Sequence, residues 1–487
     1  MSAKKVAASV FTAGFLSVGA GVSDVVRHPL NTGVALEYGQ IYQSGNLVSG
    51  QYPIRKFPIK RTIGWFVQSA TVDERLEVVA GMGAVFLYLY PDEGYAYQHS
   101  PISAVALIQA SGAYTWGDLK EPAFKLSFGY LPYKYNPDSK NMGEYLFRST
   151  PYPSTTTNGS WNLVNSSQAK IWGVILSKNF LGGKWKNDLL VSVSDVYPLY
   201  DFSPAYITSL KIGSMLEIGA GVNFYHLIEN DSKINTLKTS TNSYFKYQGN
   251  DYYAFSEYYR QAAVLQTGAD SVATIAKADL VDSLVKDSLD AGRPPAVPLS
   301  HYTVNGPLLT ARFSLDFKPI LGEKVDLKLY GEASILGVKN YPVFYEKTMD
   351  RVPLMVGLNI PTFGFLDMFS AELEYWKNPY LNSYFNVSSQ QALGAVPDFT
   401  HMASTNGSGP GYRGLGVDPT KPYTKDDIKW AITAQKSIGK SFSVLAKVAR
   451  DHLTQLNAGQ GFGTDLQHDI LPDNKGWYYL VHVQVAI

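Results

Sequence analysis

Histidines and glycine-rich loops are the features of this chain that could first suggest catalysis. His468 is followed by Asp469, and His482 lies near the carboxyl end, but neither has a serine or glutamate partner at a spacing typical of a hydrolase. The chain has no cysteine, which excludes a thiol nucleophile and a zinc–thiolate site. The glycine-rich segments 407–411 and 459–463 do not lie between a strand and a helix, as a phosphate-binding loop does. The sequence therefore predicts no catalytic residue, no cofactor and no metal ligand, and we do not expect an enzyme.

Charged residues recur instead at alternate positions within otherwise apolar segments. In the segment 309–318, for example, apolar residues such as Phe313 alternate with polar residues such as Arg312. Such a strand has one apolar and one polar face. A charge in a membrane-spanning strand is tolerated only where it faces water or a partner. We therefore expect twelve of these charged residues to face a water-filled lumen: Lys125, Glu217, Arg312, Asp316, Lys318, Asp326, Lys328, Glu332, Glu372, Glu374, Lys429 and Lys447.

Four of these charges lie on two neighbouring segments and are expected to form ion pairs across them. Arg312 and Asp316 precede the short connection 319–323, and Asp326 and Lys328 follow it. In the whole chain 42 basic residues balance 41 acidic ones, which gives a formal net charge of +1. This balance predicts no strong ion selectivity and no basic surface for nucleic acid.

Period-2 alternation extends over most of the chain and predicts an all-β fold. Aromatic residues make up 13% of the sequence and glycine contributes 42 residues, a composition typical of strands and tight turns. The segments are longer than the average globular strand. Sixteen strands are predicted, at 33–43, 61–72, 76–90, 102–116, 121–133, 169–179, 187–197, 203–213, 215–228, 307–318, 324–337, 352–361, 367–377, 427–436, 441–450 and 477–487.

The connections between these segments alternate between short and long. Short connections include 72–75 and 181–184, whereas long ones include 134–168, 229–306 and 378–426. A soluble sandwich has no reason to place all its long loops at one end over sixteen strands. The pattern therefore predicts a transmembrane antiparallel up-and-down β-barrel with short periplasmic turns and long extracellular loops.

Two segments outside the predicted strands have patterns of their own. Residues 1–30 contain Lys4 and Lys5 followed by a charge-free run to Ser23, which is typical of a secretory signal with cleavage after Ala20. The alternative is an N-terminal strand or plug that the mature protein retains.

The insertion 229–306 contains a predicted helix that begins at 269–271 and ends at Gly292. We expect it to bury one apolar face. The insertion either folds into the barrel and narrows it or caps the barrel from outside. The residues of the predicted buried face are Val272, Ile275, Ala276, Leu280, Leu284 and Val285.

The final segment resembles the C-terminal assembly strand of Gram-negative outer-membrane proteins. Tyr479, Val481, Val483 and Val485 alternate with polar or small residues up to Ile487, whereas the family pattern usually closes on an aromatic residue. With the sixteen strands, this makes the chain similar to the general porins as a class. The resemblance implies an outer-membrane channel for passive diffusion of small hydrophilic solutes. It also implies contact with outer-membrane lipid and association into a homo-oligomer, a trimer by analogy. The alternative is a structural or surface-interaction barrel that anchors large extracellular loops.

Overall fold

The structure is a computed structural model in which part of the chain is described. The described residues are 25–42, 48–49, 52–53, 56–89, 102–119, 122–147, 169–193, 201–225, 227–228, 244–247, 250–253, 269–292, 306–322, 325–338, 348–376, 428–451 and 476–487. The predicted secretory signal lies outside these ranges, as do most residues of the long loops.

Sixteen long β-strands form the body of the molecule, as the sequence predicted. They are β1 (Asn31–Tyr42), β2 (Lys56–Val72), β3 (Leu76–Leu89), β4 (Ile102–Gly117), β5 (Pro122–Tyr133), β6 (Ala169–Phe180), β7 (Trp185–Val193), β8 (Phe202–Ile212), β9 (Leu216–Tyr225), β10 (Gly306–Asp316), β11 (Lys328–Ile335), β12 (Leu354–Asn359), β13 (Met368–Tyr375), β14 (Ile428–Ile438), β15 (Phe442–Arg450) and β16 (Trp477–Ala486).

Each strand pairs antiparallel with the next one in the chain, and β1 pairs with β16, so the sheet closes on itself. At the closing seam Leu36 lies opposite Val483 and Glu37 lies opposite His482. A short strand, Val25–Arg27, precedes β1 and continues its pairing along β2. The fold is therefore a closed, up-and-down, sixteen-stranded antiparallel barrel, which leaves no long strand edge unpaired.

The short connections are tight turns whose backbone conformations match their residues. Between β6 and β7, three successive residues have positive φ: Leu181 at 54°, Gly182 at 61° and Gly183 at 84°. Two glycines make this conformation inexpensive, because glycine has no Cβ to clash with the backbone. Such a turn reverses the chain within four residues and fixes the register of the two strands that it joins.

The outward face of the barrel is apolar and exposed, while the inward face is largely buried. In β6, Trp172, Val174 and Leu176 are exposed, whereas the alternate residues Ile171 and Ile175 are 3% and 4% exposed. A closed barrel with an apolar outer face matches a membrane-spanning β-barrel. No helix in the described part of the chain has the length and apolar character needed to cross a bilayer.

Aromatic rings cluster near both rims of this outer face. At the short-turn end Trp116 stacks on Phe124, with ring centroids 4.5 Å apart. At the long-loop end Tyr42 stacks on Trp477, with centroids 4.6 Å apart. Two such belts are expected where a barrel crosses the two interfaces of a membrane.

Two of the charged residues predicted on strands lie outside them. The eleventh strand begins at Lys328, not at residue 324, so Asp326 and Leu327 lie in the turn that follows β10. Lys318 likewise lies in a short helical turn, Lys318–Leu321, and not on a strand. The cause is Pro319, which has no N–H to donate to a strand ladder and fits the first turn of a helix.

The predicted helix of the insertion is present as α1 (Ala269–Asp290), but its predicted buried face is correct only at Val285, which is buried. Val272, Ile275 and Leu280 are exposed, with Val272 at 68%. The fully buried positions are Ala278, Val285 and Ser288, which follow one another at helical spacing. Ala278 and Ser288 are small residues, which a pattern of large apolar side chains does not identify as buried.

Candidate functional site

The segment 134–147 turns from the end of β5 into the interior of the barrel; we call it the infolded segment. Its residues make hydrogen bonds to side chains of β9, β11, β13 and β14. A chain segment can contact so many strands of a closed barrel only from inside it. Because β13 lies eight strands from β5 in a barrel of sixteen, the infolded segment crosses the lumen to the opposite wall.

The carboxylate of Glu372 on β13 holds the tip of the infolded segment. It accepts the backbone N–H groups of Lys140 and Asn141, each at 2.6 Å, and that of Met142 at 3.2 Å. The hydroxyl of Tyr330 donates to the same carboxylate at 3.0 Å. Three consecutive backbone donors around one anion form a cradle, and charge-assisted bonds of this kind are about twice as strong as neutral ones.

Glu332 on β11 holds the returning half of the infolded segment in the same way. It accepts the backbone N–H of Glu144 at 2.8 Å and that of Tyr145 at 3.2 Å. The side chains of Tyr135 and Asn136 donate to it at 2.5 and 2.8 Å. Two wall carboxylates therefore satisfy backbone donors that would otherwise be buried without an acceptor.

Three further hydrogen bonds and one ion pair complete the attachment. The Tyr145 hydroxyl donates to Glu374 at 2.6 Å, Asn141 Nδ2 donates to Thr433 at 2.8 Å, and Asn223 Nδ2 donates to the carbonyl of Leu146 at 2.9 Å. Lys328 Nζ lies 3.0 Å from Asp138 Oδ1. Anchors on four different strands fix the position of the segment across the lumen.

The backbone at 143–144 makes the sharp reversal that the segment needs. Gly143 has a φ of +87° and Glu144 a φ of +58°. The φ of Gly143 strains any residue with a side chain, and a Cβ at this position would also lie 2.6 Å from Met355 Cε, so glycine is strongly favoured here. Glu144 adopts a conformation that is uncommon for a residue with a side chain. Its carboxylate accepts the N–H of Asn136 and so joins the two halves of the segment.

Two titratable groups of the infolded segment are shifted by this environment. Burial, together with the neighbouring carboxylates of Glu332 and Glu144, holds the pKa of Tyr135 well above its ordinary value. Tyr135 is therefore a permanent donor to Glu332. Burial alone would raise the pKa of Asp138, but hydrogen bonds from Ser314 and Lys328 and the charge of Lys328 lower it. Asp138 is thus held in its charged form.

The ion pairs among the four predicted charges differ in part from expectation. Lys328 does pair with Asp316, at 3.4 Å. Arg312, however, pairs with Glu217 of β9 at 2.6 Å. Asp326 pairs with Lys318 at 2.9 Å. Register explains the change, since Glu217 and Arg312 lie two positions apart on the same face of paired strands, while Asp326 lies before the start of β11.

The remaining charged residues of the predicted set lie at several heights along the barrel. Lys447 is buried and pairs with Asp451 at 3.0 Å, and the hydroxyl of Tyr478 donates to the same carboxylate. Lys429 is 1% exposed and lies directly opposite Glu374 in the β13–β14 register. Lys125 lies near Glu77, at 3.9 Å, towards the short-turn end. Glu332, Glu372 and Glu374 are the predicted residues that the structure brings together at one site.

The residues of the infolded segment itself were not singled out by the sequence. The sequence from Lys134 to Phe147 contains proline, asparagine and glycine and is typical of an ordinary polar loop. The available signal was three acidic residues, Glu332 on β11 and Glu372 and Glu374 on β13, on the polar face of their strands. Among the described residues, no cluster of histidine, aspartate or glutamate could hold a metal ion.

Comparisons with known proteins give structural matches only. No family model matches the chain, and no curated protein sequence matches it. A mutant of the porin of Rhodopseudomonas blastica matches at 8% identity and a TM-score of 0.37. A Salmonella typhi OmpF structure in complex with daunomycin matches at 8% identity and a TM-score of 0.42, covering 94% of this chain and 97% of that one. Another mutant of the Rh. blastica porin matches at 8% identity with a TM-score of 0.39, covering 95% of this chain and all of that one.

Proposed function

We propose that this chain is a porin-like channel of the bacterial outer membrane through which small hydrophilic solutes diffuse passively. The observation that carries the proposal is the infolded segment, held across the lumen by Glu332 and Glu372. A barrel of sixteen strands is wide enough to leave an aqueous channel. The infolded segment packs apolar side chains such as Met142 and Leu146 into a buried cluster with wall residues such as Ile171, while its backbone N–H groups bind the wall carboxylates. A segment fixed across such a channel limits the size of the solutes that pass.

Charge at the narrowed level supports passage of polar solutes without a strong preference for one sign. Acidic groups such as Glu374 and Asp138 lie close to basic groups such as Lys429 and Lys328. Mixed charges of this kind orient water and polar solutes but give only weak ion selectivity. The near-neutral composition of the chain agrees with that reading.

Location in an outer membrane is supported by the barrel itself. Barrels with an apolar outer band, aromatic belts and short turns at one end are a form of membrane protein in which every backbone group is paired without helices. We therefore place the short turns on the periplasmic side and the long loops outside. The insertion 229–306 would then lie at the outer mouth, where its role in access to the pore is a prediction.

Solute uptake into proteoliposomes tests the proposal. Liposomes that contain the barrel should swell in sugars of increasing size until a cut-off is reached, at rates that do not saturate with concentration. A matched preparation with heat-unfolded protein controls for leakage. A folded, heat-resistant barrel that admits no sugar at all would reject the channel and favour an anchoring role for the loops.

A further inference from the structure

A polar cluster interrupts the apolar outer face of the barrel close to the short-turn rim. It consists of Lys178 on β6, Asn187 on β7 and Thr208 on β8, which occupy paired positions of three adjacent strands. Their neighbours of the same phase, such as Leu176 and Leu189, are exposed apolar residues of the outer face. The cluster therefore points towards lipid and not into the lumen.

Two hydrogen bonds within this cluster end on the side-chain oxygen of Asn187, and the Thr208 hydroxyl also lies 3.2 Å from the carbonyl oxygen of Lys186. The hydroxyls of Tyr206 and Thr208 donate to Asn187 Oδ1 at 2.6 and 2.9 Å, and Trp185 Nε1 donates to Thr208 at 2.8 Å. A separation of 2.6 Å is typical of O–H···O and too short for N–H···O, so the oxygen of the amide faces Tyr206. The amide nitrogen faces the other way.

Asn187 Nδ2 has no hydrogen-bond acceptor among the described residues, although Asn187 is only 8% exposed. A buried amide donor on the lipid face is strongly unfavourable unless an acceptor is supplied. Lys178, its register partner on β6, adds a cation whose Nζ lies 5.4 Å from the centre of the Phe180 ring. The acceptor should therefore be anionic and rich in oxygen.

The height of the cluster indicates where that acceptor comes from. Two residues separate Lys178 from the turn 181–184, and two separate Asn187 from it. The rings of Phe180 and Trp185, 5.2 Å apart, mark the interfacial belt just below them. Lipid headgroups lie at this level of a membrane, and the exposed Leu176 and Leu189 continue the surface towards the acyl chains.

We propose that this cluster binds the phosphate of a glycerophospholipid in the leaflet that faces the short turns. Asn187 Nδ2 donates to a phosphate oxygen, and Lys178 provides the opposite charge. The acyl chains lie along the apolar outer face of β6 and β7. This inference requires the barrel to lie in a bilayer, but it does not depend on solute passage through the lumen.

Lipid binding to delipidated protein tests this site. The parent barrel, purified in a phosphate-free maltoside detergent, is titrated with phosphatidylglycerol, and bound lipid is counted by native mass spectrometry. Asn187→Leu and Lys178→Met should each weaken binding about tenfold, the loss of one charge-assisted hydrogen bond. The control variant Asn179→Leu makes the same asparagine-to-leucine change at the residue next to Lys178, on the inward face of β6. It should leave lipid binding unchanged. Heat resistance on gels shows that each variant is folded.

Further experiments distinguish a lipid phosphate from other ligands of this site. Diacylglycerol, which lacks the phosphate, should neither bind this site nor protect the parent from thermal unfolding, whereas phosphatidylglycerol should protect the parent but not Asn187→Leu. Equal lipid binding by parent and both variants would overturn the proposal. Displacement of the lipid by millimolar inorganic phosphate would instead indicate a free-phosphate site. A changed oligomer mass in Asn187→Leu, with lipid binding intact, would indicate a contact between copies of this chain.

Discussion

The carboxylate of Glu372 accepts the backbone N–H of Asn141 at 2.6 Å, although Glu372 lies on β13 and the segment that contains Asn141 leaves from β5, on the opposite side of the barrel. This contact holds the infolded segment across the lumen. It also places a buried negative charge where three backbone amides stabilise it. The position of the infolded segment therefore depends on an acidic side chain of the opposite wall.

Replacing Glu372 by alanine should release the tip of the infolded segment. Three buried N–H groups would lose their acceptor, and each such loss costs about 1–3 kcal/mol. Hydrogen exchange of the amides of Lys140, Asn141 and Met142 should become much faster in Glu372→Ala. Glu77→Gln, which removes a charge near the short-turn rim, serves as the control. Unchanged protection of residues 140–142 in Glu372→Ala would contradict the assigned contact.

Cysteine crosslinking should locate the segment directly, because the chain contains no native cysteine. Asn141 Nδ2 lies 2.8 Å from Thr433 Oγ1, so Asn141→Cys combined with Thr433→Cys should crosslink readily under mild oxidation. The control pair joins Asn141→Cys with Ser111→Cys on β4, next to the strand from which the segment departs. Efficient crosslinking of the control pair and none of the first would show that the segment does not reach β14.

Charge on the outer face should destabilise the barrel according to depth. Val174 is exposed near the middle of β6, so Val174→Arg should cost about 2–4 kcal/mol, the penalty for a cation at the bilayer midplane. Leu327 lies in a short turn, and Leu327→Arg should cost only about 0–1 kcal/mol. Urea unfolding in phospholipid vesicles measures both. Equal costs at the two sites would mean that β6 does not face lipid as described.

Acid should loosen the anchor between Asp138 and Lys328. The folded-state pKa of Asp138 is below its ordinary value, so its stabilising contribution is complete above that ordinary value. The contribution is lost as the pH falls through the lowered pKa. Current fluctuations of the open channel should therefore increase in strongly acid solution, while Asp138→Asn should fluctuate already at neutral pH. If the current of Asp138→Asn fluctuated no more than that of the parent at neutral pH, the ion pair between Asp138 and Lys328 would not hold the infolded segment in place.

The barrel could be predicted from the sequence because its signal is repeated sixteen times. Alternation such as that around Phe313 and Arg312 specifies which face meets lipid, and turns such as 181–184 separate successive strands. The infolded segment could not be predicted in this way. Residues 134–147 have no periodicity, and the hydrogen bonds that hold them join backbone amides to acids some 190 to 230 positions away. A polar loop inside a wet lumen and one outside the membrane have the same composition.

The helix α1 illustrates a related limit. Its presence followed from local signals, including the terminal Gly292 with a φ of +64°. Its buried face followed only in part, since Val285 is buried as predicted, but Val272 and Leu280 are exposed while Ala278 and Ser288 are buried. Local sequence determines whether a helix forms, but the element packed against it determines which side is covered.

Single-channel conductance of the parent and of a variant without the infolded segment tests the central claim most directly. In the variant, residues 136–145 are replaced by a short glycine–serine linker, and heat resistance on gels shows that the barrel still closes. We expect stepwise openings from the parent in planar bilayers and clearly larger steps from the variant, because the infolded segment narrows an aqueous lumen. A variant whose steps equal those of the parent, or a folded parent that gives no steps, would contradict the account.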